Sequence, residues 1–258
     1  SIVLFATLVV STTQASHSWG PYHWARTANP FTLKLGDNVS ATWDGHLATA
    51  SSDWTLSSVL NTSVVSGAKK RNCGAVSGRV EVCNKTYGNN GWLGLAQIWV
   101  SGPHITKGVA KMNDTYFNNA PYNTAAWRRF VICQEIGHTF GLDHQDENFN
   151  NINLGTCMDY TSDPDGTLAN PDQLSNEHPN THDYGQLETI YAHLDALVSN
   201  FNKKSSAPAL VGNDSGGDDI DTSDAKEWGK EIRKSKDGRS SLHERDLGKS
   251  NKIFTFVI

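Results

Sequence analysis

Apolar positions recurring every three or four residues predict two helices. The first is capped by Asn123-Thr124 and runs to about Leu142. Trp127, Phe130 and Val131 and, one turn on, Gln134 and His138 fall on related faces, with Arg128 and Arg129 toward solvent. The second runs from Asp183 to Ser199, apolar at Leu187, Ile190, Tyr191, Leu194 and Val198. Strand signals take up much of the rest. Between Phe31 and Val65 short β-type runs (Phe31 to Leu35, then Val39 to Trp43) alternate with turn residues such as Gly36-Asp37-Asn38. Val76 to Val82 alternates and predicts a hairpin. Gly94 to Val100 predicts a strong strand, and Ile105 to Met112 the next. The aromatic segment His17 to Trp24 reads as a strand that opens the sheet. Lys226 to Ser235 reads as a short charged helix, and Ile253 to Ile258 as a strand that docks on the main body.

Length and composition add boundaries to this pattern. A chain of 258 residues can bury a full core and still carry a tail. Residues 1–15 are apolar and uncharged and end in Thr13-Gln14-Ala15, a small-x-small cleavage site, so they read as a secretory signal peptide; the run is too short to span a bilayer. Secretion makes the four cysteines candidates for disulfides, with three pairings open. Sequons at Asn38, Asn61, Asn84, Asn113 and Asn213 fit an extracellular glycoprotein. The net charge is −5, and the acidic excess lies in the main domain, residues 16–202, which argues against nucleic acid as a partner. Residues 203–258 form a densely charged, partly flexible tail of mixed sign, opening on a linker at Lys203-Lys204-Ser205-Ser206-Ala207-Pro208. Ser215 to Asp221 is rich in glycine and acid and is expected to be flexible. Asp163-Pro164-Asp165-Gly166 is a turn with two carboxylates; calcium wants six or more oxygens, so a plain turn is expected and calcium is an outside alternative.

The chemistry concentrates between Cys133 and Asp146. Gln134 and His138 are four apart and share a helix face. Glu135 precedes His138 by three residues. Gly141, which takes left-handed backbone angles freely, is where the helix can stop, so that the chain turns and returns His144 to the same point. Two imidazoles and a carboxylate around one small volume suit a catalytic zinc with an activated water.

Residues 134–144 match H-E-x-x-H-x-x-G-x-x-H at every fixed position except the first, where Gln134 stands. Cys157-Met158-Asp159-Tyr160 follows. On these two motifs the chain resembles the metzincin zinc metalloproteases. The likeness extends toward the matrixin branch through His182-Asp183-Tyr184 and the apolar Leu187, Ile190 and Tyr191. The resemblance implies an α+β fold: a metzincin-like domain with a twisted mixed β-sheet, an active-site helix, a Met-turn and a C-terminal helix. It implies a secreted, monomeric endopeptidase with one catalytic zinc, acting on extended peptide or protein substrates. Glu135 matches the general base, which moves a proton from the activated water to the leaving amine. His138 and His144 match zinc ligands, and Met158 matches the floor of the site. Tyr160 matches a hydrogen-bond donor to the transition state. Cys133–Cys157 then ties the metal helix to the Met-turn, and Cys73–Cys83 closes a short loop. The strand at Gly94 to Val100 corresponds to the sheet edge along which a peptide lies antiparallel. No cysteine stands in a switch-like context, so latency through a thiolate on zinc is not expected.

Gln134 breaks the pattern and leaves three outcomes open. Its amide oxygen binds zinc, weakly; or His104, His178 or His182 replaces it; or no zinc binds. The intact Glu135 argues against the last. The rival readings are a secreted binding protein that keeps the cleft without turnover and, more weakly, a metal-dependent hydrolase of a non-peptide substrate.

Overall fold

The computed structural model describes residues 17–168, 173–196 and 221–258. The expected signal peptide, the linker from Lys203, the stretch from Ser215 to Ile220, Val198 and the Asn213 sequon lie outside the described residues. In chain order the strands are β1 (His23–Trp24), β2 (Phe31–Asn38), β3 (Leu60–Ser66), β4 (Arg79–Lys85), β5 (Gly94–Ser101), β6 (His104–Asn113), β7 (Lys230–Lys234), β8 (Ser241–Gly248) and β9 (Asn251–Val257). The helices are α1 (Ala41–Trp54), α2 (Asp114–Phe117), α3 (Ala125–His138) and α4 (Thr181–Ile190).

One mixed sheet runs in the order β3-β2-β4-β6-β5-β9-β8-β7, with β1 paired to the start of β6. Pairing is parallel among β3, β2, β4 and β6 and antiparallel from β6 through β5 and β9 to β7. The parallel half needs crossovers, and α1 supplies the one between β2 and β3. Helices α1 and α3 pack on one face of the sheet, where Trp43, Trp54, Phe130, Ile136, Ile98 and Met112 belong to a single core cluster. On the other face the Cys73–Cys83 disulfide packs with Trp99, Val109 and Ile253. Residues of β5 are therefore buried on both faces, which explains why Gly94 to Val100 is an unbroken run of buried positions.

Several sequence-based expectations change. Residues 41–54 form α1 rather than strands: Trp43, Leu47, Ala50 and Trp54 make a buried stripe at helical spacing that serine, threonine and Gly45 dilute in the sequence. The indole N–H of Trp43 donates to Asp114 and that of Trp54 to the Cys133 carbonyl, which ties α1 to α2 and α3. The Val76 to Val82 hairpin is one strand, β4, lying parallel between β2 and β6. Lys226 to Ser235 holds a short 3₁₀ turn and β7 instead of an α-helix, because its alternating charges serve an outer strand of the sheet. The second helix is shorter than expected: α4 ends at Ile190, and Leu194 is exposed. Arg128 and Arg129 are half-buried, Arg128 donating to the Phe117 carbonyl and Arg129 paired with Glu177. Asn113 is wholly buried, its side-chain amide donating to Gly88, Asn90 and Trp92, so this sequon is closed to a glycan in the folded chain.

Candidate metal centre

The helix that carries the motif is set by its own ends. The Thr124 side chain accepts from the Trp127 amide and caps α3. From Phe130 to His138 every residue is buried, as expected of a helix enclosed by sheet, α1 and loops. After His138 the chain tightens into a turn that ends at Gly141, with φ of +101°; a Cβ there would lie 2.4 Å from the Tyr22 carbonyl oxygen, so both backbone angle and space call for glycine. Gly137 answers a second close approach. A Cβ on it would come 2.6 Å from the sulfur of Met158 and 2.7 Å from the Trp54 ring, so these two side chains press directly on the helix backbone.

The reversal brings the two histidines together, with His138 Nε2 and His144 Nε2 2.9 Å apart. His138 Nδ1 lies 2.9 Å from the Leu142 carbonyl oxygen, which can only accept, so that nitrogen carries the ring's proton and Nε2 offers a lone pair. His144 Nδ1 lies 3.5 Å from both Asp143 and Glu147 carboxylates, close to two acceptors but without a hydrogen bond to either. The lone pair of His138 Nε2 therefore points at His144 Nε2, and a cation shared by the two nitrogens would satisfy it. Burial and the neighbouring His144 hold the His138 imidazole well below the usual histidine range, so it stays neutral, as a metal ligand must. The donor set therefore fits zinc.

Earlier on the same helix, Gln134 and Glu135 each hold an unpartnered buried oxygen. Gln134 is fully buried; its Nε2 donates to the Cys157 carbonyl at 2.8 Å, and its Oε1 has no partner. Glu135 is likewise buried, its Oε2 without a partner, and burial pushes its carboxyl well above the ordinary carboxylate range. Gly94 makes room for it, since a Cβ there would meet Glu135 Oε1 at 2.3 Å. The Cys133–Cys157 disulfide fastens α3 to the turn bearing Met158. That turn is held in place through Thr156, whose hydroxyl donates to Asp183, and Asp183 also closes the capping box of α4 with Asn180. The Tyr160 ring sits 4.2 Å from that of His144 and stacks on Phe149, and Ser240 lies beside it. Burial raises that phenol further above its usual range.

The candidate replacements for Gln134 are elsewhere. His104 lies against Asp195, exposed His178 pairs with Asp53 at 2.7 Å, and His182 stacks on His17. Asp163 and Asp165 spend carboxylate oxygens on the amides of Thr167 and Leu168, as in an ordinary turn. Two side chains in the site, Arg233 and Phe256, had no role in the reading of the sequence. Arg233 of β7 grips Asp143 with two bonds, 2.5 and 2.6 Å long. Burial alone would raise Asp143, but Arg233 and the histidines bring it down to about 2. The same guanidinium lies 3.4 Å from Glu147, so the acidic group beside His144 is already neutralised and is a poor cation site of its own. Phe256 of β9 lies flat on the His138 ring, centroids 4.3 Å apart and planes 7° from parallel. Only the docking of Ile253 to Ile258 was foreseeable, from its strand-like run; the pairing of Arg233 with Asp143 spans 90 residues and leaves no local signal.

Strand β9 pairs antiparallel with β5 from Leu95 to Ser101, along the edge expected to receive a peptide. The histidines, Glu135 and Tyr160 are thus enclosed. Nearby, a cleft of about 390 Å³ opens between Leu93, Tyr122, Trp127, Phe149 and Ile258.

No family model matches the chain, and no curated protein is similar to it in sequence. Among solved structures it is similar to high choriolytic enzyme 1, a hatching enzyme zinc-protease from the medaka fish Oryzias latipes. The identity is 12%, the TM-score 0.36, and the match covers 66% of this chain and 94% of that one.

Proposed function

We propose that this protein is a secreted zinc-dependent endopeptidase of metzincin type, acting on extended peptides. The observation that carries the reading is the convergence of two imidazoles, their Nε2 atoms 2.9 Å apart, on a helix and turn whose Glu135 holds a buried, unpartnered carboxylate oxygen. His138 and His144 would hold the ion, with Gln134 Oε1 as the third donor. Zinc supplies Lewis acidity, which lowers the pKa of water and polarises a carbonyl. Glu135 acts as the proton carrier: its raised affinity for a proton suits a group that takes one from water and gives it to the departing amine. Tyr160 turns its hydroxyl to the developing oxyanion. Met158 and the Cys133–Cys157 disulfide keep the floor rigid. Two disulfides support an oxidising, extracellular setting, and among the described residues no helix is long and apolar enough to cross a membrane.

A binding protein without turnover is the second reading, favoured by the hydrogen bond that Gln134 gives to Cys157 and by Phe256 lying on His138. Cleavage of casein by wild type and by Glu135→Gln, with zinc content measured in both, separates the two. The endopeptidase loses activity by about 10²-fold or more in the variant while keeping its zinc. Equal cleavage by both proteins rejects the proposed mechanism, and bound zinc with no cleavage by either selects the binding protein.

A further inference from the structure

A second cluster of histidines gathers where three segments distant in sequence meet. His23 comes from β1, His104 from the paired start of β6, and His193 and Asp195 from the segment after α4. Asp195 Oδ1 lies 3.3 Å from His23 Nε2, 3.2 Å from His104 Nε2 and 3.6 Å from His193 Nε2; His193 Nε2 and His23 Nε2 are 3.2 Å apart. The ring of His23 stands edge-on to those of His104 and His193, at 89° and 84°.

Hydrogen bonding among these groups leaves one contact, His23 Nε2 to Asp195 Oδ1, without a proton. His23 Nδ1 is 2.8 Å from the Pro21 carbonyl oxygen, an acceptor only, so the ring's proton sits there and Nε2 presents a lone pair. That lone pair faces a carboxylate oxygen and a further imidazole nitrogen. His104 and His193 can each donate from Nε2, but neither proton lies between His23 Nε2 and Asp195 Oδ1; a divalent cation fills that contact, with His23, His104 and Asp195 all close enough to share it. The spacing suits the ion. With zinc bonds of 2.0 to 2.2 Å, ligand atoms of a tetrahedron are separated by about 3.3 to 3.5 Å, and the contacts of Asp195 with the three histidines and of His193 with His23 run from 3.2 to 3.6 Å. The outer shell is also built. Asp195 Oδ2 accepts from the Arg26 backbone amide and guanidinium, at 3.2 and 2.9 Å, which leaves Oδ1 turned to the histidines. His193 is 58% exposed and His104 36%, so an ion has a way in.

We propose that His23, His104, His193 and Asp195 form a structural zinc site, distinct from the His138–His144 centre. Four protein ligands leave no open position, which sets it apart from a catalytic site. Its place suggests its work: the ion clamps the N-terminal strand, the sheet and the end of α4 to one another. The experiment is metal analysis of the full chain after zinc loading and desalting, together with thermal unfolding with and without zinc. His193→Ala is the primary variant, because an exposed side chain can be removed without disturbing packing; His104→Ala is the second. Both lose about one equivalent of zinc relative to wild type and most of the zinc-dependent rise in Tm. His144→Ala reports on the other centre, so a chain that binds zinc at only one place reveals which. Zinc content and Tm response equal to wild type in both His193→Ala and His104→Ala overturn the proposal.

Discussion

At the scale of single residues, the centre turns on what Gln134 does with its amide. An imidazole is a better zinc ligand than a neutral amide oxygen, and Gln134 sits at the helical position whose face carries His138. Gln134→His is therefore expected to tighten zinc binding, read as a lower free-zinc concentration at half occupancy in a competition titration. The same change removes the bond to the Cys157 carbonyl, at a cost of about 1 kcal/mol in folding stability of the metal-free chain. Weaker or unchanged zinc binding in the variant would place Gln134 outside the coordination sphere. Gly137 and Gly141 show how far local sequence reaches. The turn at Gly141 was readable from spacing, although the helix itself ends earlier than expected, at His138, whereas Gly137 is required by Met158 and Trp54, which approach from distant segments.

At the scale of elements, β9 has the largest functional consequence. It occupies the β5 edge in antiparallel register, and its Phe256 covers His138. If the protein is the peptidase proposed above, peptide entry requires this strand to yield, and latency is then a property of the tail rather than of a cysteine. Phe256→Ala removes a buried aromatic ring and is expected to lower stability by about 3 to 5 kcal/mol. If the ring shields the centre, the variant also cleaves peptides faster than wild type at temperatures where both are folded. A residue that only supported packing would lower activity along with stability, so a parallel loss counts against shielding. The elements also show what the sequence could convey. Helix α3, with its Thr124 cap, and strands β5 and β6 carry strong local patterns and were legible. Helix α1 was not, because its four-residue apolar stripe is interrupted by small polar residues. Strands β7 and β8 were not, because their partners lie in distant sequence and their charged side chains hide the alternation.

At the scale of the whole molecule, the segment from Asp221 onward is bound to the main body at separate points: Arg233 to Asp143, Phe256 to His138, and Thr222 and Ser223 to Lys111. The last attachment has an unusual electrostatic character. Lys111 is wholly buried within β6, its ammonium donating to the two hydroxyls at 2.9 and 3.0 Å. Burial pushes its pKa down from 10.5 to about 7, against the pull of Asp221. Between those two values the unfolded chain binds a proton that the folded chain has released. This group's contribution to stability must therefore rise with pH from about 7 toward 10.5, and below about 7 the folded state carries the full penalty of a buried charge. Lys111→Met keeps the length of the side chain and removes the titration. Urea unfolding across that pH range is expected to show wild type gaining on the variant as pH rises, and a difference independent of pH would mean that the lysine stays charged in the fold. Because Lys111 holds Thr222 and Ser223, the same titration weakens the hold on the tail as the ammonium loses its charge and one of its three donors. Amide exchange in β9 at alkaline pH, corrected for the intrinsic rate, then tests whether that attachment and the strand over the histidines act as one unit: faster exchange joins them, and unchanged protection separates them.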